Sequence, residues 1–139
     1  MATFVSVLAR LIGILLIAAL LYFSFKPEPQ FIKEKILPIW LAEFGDQYPD
    51  FRTFVPYFLC SFLLPFLSAN NRNDFPKKTV AWGAALLVAF LSISELIQWA
   101  MPKRVFSVMD LFWGGLGIVA GGVAAILIHL IISRPRESI

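Results

Sequence analysis

Residues 108–132 read VMDLFWGGLGIVAGGVAAILIHLII, with one carboxylate near the start, one histidine near the end and no lysine or arginine between them. A run of this length with no polar face does not suit water, and it matches what a bilayer of about 30 Å hydrocarbon thickness demands of a helix. Working outward from it, Pro102-Lys103-Arg104 breaks the chain before it, and a second apolar run covers about Val80 to Met101. Further back, about Phe4 to Phe25 reads as another span, with Arg10 near one end, where a long stem can carry the charge toward the headgroups. About Thr53 to Ser68 is shorter and holds Pro56 and Pro65, which neighbouring helices can tolerate in a membrane. The expected fold is all-α: one transmembrane domain over residues 1–139 with spans of about 4–25, 53–68, 80–101 and 108–132. The third and fourth spans are expected to make its tightest hairpin.

Composition agrees with this layout. The chain is 59% hydrophobic and 15% charged, too apolar for a water-soluble domain of 139 residues. Its formal charge of +3 is scattered along the chain, so no nucleic-acid partner is implied and the expected partners are membrane lipids and other membrane protein subunits. Cys60 is the only cysteine and lies in an apolar run, which excludes an intrachain disulfide and a cysteine metal motif. The N-terminal run is too long for a signal peptide core and lacks a small-x-small cleavage site, so it reads as a retained span.

The longest connection, Gln30 to Arg52, mixes Lys33, Glu34, Lys35, Glu43, Asp46 and Asp50 with Ile36, Leu37, Trp40, Leu41 and Phe44. That mixture predicts a short helix in the interface, ended by Gly45 and Pro49. Asn70 to Lys78 reads as a polar turn. Lysines and arginines divide equally between the two sides, six on each. Glu28, Glu34, Glu43, Asp46, Asp50 and Asp110 all fall on the side away from the termini, so the termini are expected in the cytoplasm.

Most of the chemistry sits in Ser94 to Asp110. Glu95 and Gln98 stand three apart, on one helix face. Arg104 follows in the turn, and Ser107 and Asp110 at the next helix start. An acid near the hydrocarbon boundary costs about 2–3 kcal/mol on insertion scales and needs a partner, so Arg104 is expected to contact Glu95, Asp110 or both. All five residues are expected in one polar cluster at the outer membrane boundary. Simpler readings stand beside this one. Ser107-x-x-Asp110 is a capping box, and Glu95 with Arg104 could be an ion pair tying two helices. Gly114, Gly117 and Gly121 suit close helix packing, and His129 lies off that face without companion ligands.

Glu95-x-x-Gln98, Arg104, Ser107, Asp110 and the glycine-spaced helix with Gly117 and Gly121 resemble the signature of the VanZ-like family over about Ser92 to Gly122. Gly114 stands where that family usually has Asn, and its Lys-x-x-His before the second span is absent. The resemblance implies a polytopic protein of the bacterial cytoplasmic membrane, in a family associated with low-level glycopeptide resistance but without an agreed biochemical activity. Neither a nucleophile with its base nor a metal cluster is visible, so no catalytic residue, metal or cofactor is expected. Glu95, Gln98, Arg104, Ser107 and Asp110 are the candidate ligand-binding residues, for a polar lipid head group or cell-envelope precursor. The alternative is an accessory or assembly subunit of a larger membrane complex.

Overall fold

The computed structural model describes residues 2–26, 30–33, 35–68 and 77–132, and all of their regular structure is helical. The elements are α1 (Ala2–Phe25), α2 (Ile39–Gln47), α3 (Pro49–Ser68), α4 (Lys77–Trp99) and α5 (Val108–Ile132). Among the described residues, three stretches are long and apolar enough to cross a membrane, Pro49–Leu67, Lys78–Trp99 and Val108–Ile131, and α1 adds the apolar stretch Leu11–Phe25. The surfaces of these helices are covered with exposed aliphatic residues such as Leu15, Leu86, Val119 and Ile131, which marks a multi-pass membrane protein.

Several helix boundaries differ from those the sequence suggests, each for a local reason. The third helix starts at Pro49, four residues before Thr53, because a proline in the first turn has no amide to lose and Asp50 meets the positive end of the dipole. Pro56 and Pro65 both lie inside α3, with Pro65 buried. Gly45 does not end α2 but lies within it, where a Cβ would come 2.9 Å from the Phe31 ring, so the missing side chain is what lets Phe31 pack there. The fourth helix runs from Lys77 to Trp99 instead of Val80 to Met101, stopping short of Pro102, whose ring disfavours helical geometry in the residue before it. Of the expected polar turn, residues 70–76 lie outside the described residues, as do Pro27 to Pro29 and the charged C-terminal stretch with Arg134, Arg136 and Glu137.

The closest helix pair is α3 with α5, which are not consecutive and pack more closely than the α4–α5 hairpin expected from the sequence. Glycines account for the difference. A Cβ on Gly117 would sit 2.5 Å from the Phe54 carbonyl oxygen, and one on Gly121 would meet the Phe58 carbonyl oxygen and come within 3.0 Å of the Phe62 nitrogen. Both therefore lie backbone to backbone against α3, which lets dispersion contacts form along the whole crossing. Between them, buried Ser61 on α3 donates from Oγ to the Ile118 carbonyl at 2.7 Å. Gly114 faces elsewhere, against the Leu91 side chain of α4. Helix α5 thus packs on both α3 and α4, which also meet each other, around a core of Leu20, Tyr57, Cys60, Leu91 and Ile118.

Candidate functional site

The C-terminal half of α4 turns its polar residues inward. Ser94, Glu95 and Gln98 are buried, whereas Leu96, Ile97 and Trp99 are exposed. Lipid hydrocarbon cannot hydrogen-bond those polar groups, so each needs a polar partner.

Glu95 finds its partner at the start of α5. Its Oε2 accepts the Ser107 amide at 3.0 Å, while the Ser107 Oγ accepts the Asp110 amide at 3.1 Å. Ser107 is therefore the N-cap residue. In an ordinary capping box the carboxylate three residues on would take the Ser107 amide. Here Glu95 takes it from the neighbouring helix, which leaves the Asp110 side chain to look outward from the box. Asp110 Oδ1 accepts instead from Thr53 Oγ1 on α3 at 3.2 Å.

Arg104 departs from expectation. Its guanidinium reaches the C-terminus of α1 and not a carboxylate of the cluster: Nε and Nη2 donate to the Lys26 carbonyl at 3.2 and 3.0 Å, and Nη2 also to the Phe23 carbonyl at 3.1 Å. Gln98 Nε2 donates to the adjacent Ser24 carbonyl at 3.0 Å. The last carbonyls of a helix have no partners within it and carry its negative dipole end, and α1 has no basic residue of its own in its last turn. A cation and an amide supplied from elsewhere in the chain satisfy it.

The five residues thus form two connected groups at one end of the bundle. Glu95, Ser107 and Asp110 join α4, α5 and α3, while Gln98 and Arg104 join α4 and the following turn to α1. Glu95, Gln98, Arg104 and Asp110 also line a single cavity of about 400 Å³. Most of its lining is apolar, from Leu16, Leu20 and Phe23 of α1, Val55 and Leu59 of α3, and Leu41 and Phe44 of α2. Helix α2 is held there by Asp46, whose carboxylate oxygens accept the Phe31 and Ile32 amides at 2.7 and 2.9 Å and which lies 3.6 Å from Arg52. The Lys26 and Arg52 cations stack on the Phe31 ring at 5.4 and 5.1 Å.

Two participants escaped the sequence reading. Thr53 holds Asp110, and Tyr57 lines the cavity with its hydroxyl buried and unpartnered. With Ser61 they form a row at four-residue spacing, one face of α3, and that regular polar row in an apolar run was the available signal. No family model matches the chain, and neither a curated protein nor a solved structure matches it. Among the described residues, no three His, Cys, Asp or Glu side chains gather to hold a metal ion.

Proposed function

We propose that this chain is a VanZ-like, non-enzymatic protein of the bacterial cytoplasmic membrane that holds the polar end of a membrane amphiphile at the outer face. The observation that carries this reading is the make-up of the cavity: apolar residues of α1 and α3 line it together with Tyr57, Glu95, Gln98 and Asp110. Small-molecule sites commonly combine a largely apolar lining with a few convergent polar groups, and a lipid has that same division within one molecule.

In this reading all four long helices cross the bilayer. The 24 residues of α1 extend about 36 Å, enough for a hydrocarbon layer of ~30 Å. Helix α2 lies in the interface, consistent with the exposure of Ile36, Ile39 and Trp40 in so short and mixed a segment. Four crossings put both termini on one side, and the acidic residues gathered on the other side make the termini side the cytoplasmic one, with the Glu95 to Asp110 cluster outside.

One observation favours the alternative, an accessory subunit in a larger membrane complex: the polar groups of Gln98 and Arg104 are committed to holding α4 and the following turn to α1, and the Ser107 hydroxyl to capping α5. Purification of the full chain in mild detergent separates the two. Retention of lipid, identified by mass spectrometry of the extracted protein, supports the first reading. Protein partners in fixed stoichiometry with no retained lipid would overturn it in favour of the second.

A further inference from the structure

The geometry points to a primary ammonium as the group that the polar end of the cavity receives, making an aminophospholipid of the phosphatidylethanolamine type its occupant. This inference rests on the proposed lipid-binding reading and names its ligand class. Three hydrogen-bonding atoms at that end are left over once the protein's own contacts are complete. Tyr57 is only 3% exposed, and its hydroxyl has no hydrogen-bond partner. The Ser94 and Ser24 side chains are the polar groups near it, and neither stands in hydrogen-bonding geometry with it. Glu95, 2% exposed, uses Oε2 for the Ser107 amide, and Asp110 uses Oδ1 for the Thr53 hydroxyl. Neither Glu95 Oε1 nor Asp110 Oδ2 accepts a hydrogen bond from any described residue.

The leftover atoms are therefore two carboxylate oxygens, which when ionised only accept, and one hydroxyl, which accepts as well as donates. The complement is a group with several donors and a positive charge. An ammonium offers three donors and brings the countercharge that a buried carboxylate needs, whereas a phosphate or carboxylate in the same place would face like charge. The cations near the cavity are already engaged, Arg104 with the α1 carbonyls and Arg52 with Asp46 and the Phe31 ring. Arg52 lines the same cavity and is partly exposed, so it stands where the lipid phosphate can approach it while one acyl chain follows the apolar wall between α1 and α3.

The test uses the full chain, delipidated in mild detergent, with phosphatidylethanolamine, phosphatidylcholine and phosphatidylglycerol of identical acyl chains titrated separately and binding read by native mass spectrometry. Phosphatidylcholine keeps phosphate and positive charge but has no N–H, and phosphatidylglycerol has hydroxyl donors without the cation. Phosphatidylethanolamine is expected to bind on the order of tenfold more tightly than either, the equivalent of one charge-assisted hydrogen bond. In Tyr57→Phe that preference should fall severalfold while thermal stability without lipid holds or rises, because the hydroxyl removed has no partner in the protein. In Glu95→Gln the preference should fall further. If phosphatidylcholine or phosphatidylglycerol binds as well as phosphatidylethanolamine, or if Tyr57→Phe keeps the full preference, the ammonium assignment is wrong and the lipid-binding reading stands. If no lipid binds, both fall.

Discussion

Replacing Gly117 by alanine adds a single methyl group to α5, and the structure places that methyl 2.5 Å from the Phe54 carbonyl oxygen and 3.1 Å from the Phe58 nitrogen. Ordinary contact begins near 3.4 Å, so α5 and α3 must part by roughly 1 Å at this level. Both obstructing atoms are main-chain atoms of a helix, which cannot swing aside as a side chain can. Overpacking of this kind costs about 1–3 kcal/mol, and an immovable obstacle puts Gly117→Ala near the upper end, about 3 kcal/mol. The separation would also lengthen the 2.7 Å bond from Ser61 to the Ile118 carbonyl one residue along. Gly115 supplies the control, since a Cβ there meets nothing within 4 Å and alanine should be neutral or mildly stabilising through helix propensity. Unfolding the two variants side by side in mixed micelles of mild and denaturing detergent measures the difference. Equal stability of Gly117→Ala and Gly115→Ala would refute the backbone contact between α3 and α5.

The same micelle assay applies to the start of α5. Ser107→Ala should lose about 1 kcal/mol, the usual worth of an N-cap side chain, and Glu95→Ala about 1–3 kcal/mol, because it leaves the Ser107 amide without an acceptor. A neutral Glu95→Ala would show that the amide has another partner. Arg104→Ala should speed amide hydrogen exchange in the last turn of α1, where the Lys26 amide bonds to the Tyr22 carbonyl, and leave α3 and α5 unchanged. Arg104→Lys should restore protection only in part, since an ammonium cannot reproduce the planar fork over two carbonyls. For the membrane topology, a periplasm-dependent reporter fused at Ile139 or within Asn70 to Asp74 should stay silent, and activity at either place would invert the assignment.

The parts legible in the sequence are those that lipid or local geometry dictates residue by residue. Spans show as apolar runs because hydrocarbon tolerates little else, and the α4 to α5 turn shows because Pro102 must end one helix and Ser107 can start another. Helix pairing leaves a weaker trace. The glycines of α5 announce a close approach, yet nothing in Gly117 or Gly121 says whether the approaching backbone belongs to the helix before it in the chain or to α3. Main-chain acceptors leave no trace at all: every residue carries a carbonyl, so the sequence could not show that Arg104 would cap α1.

The placement of Arg104 changes what the cluster can do. Paired directly with Glu95 or Asp110, its charge would neutralise a carboxylate and close the polar end of the cavity with a side chain. Docked on the Phe23 and Lys26 carbonyls, it ties the end of α1, which lines the cavity through Phe23 and Ser24, to the turn before α5. Gln98 ties the same end to α4 through Ser24, and Glu95 fixes the start of α5 with one oxygen only. The structural roles therefore build the cavity instead of filling it. The second carboxylate oxygens of Glu95 and Asp110 and the buried hydroxyl of Tyr57, which line the same cavity, are the atoms that this frame leaves for the proposed ammonium.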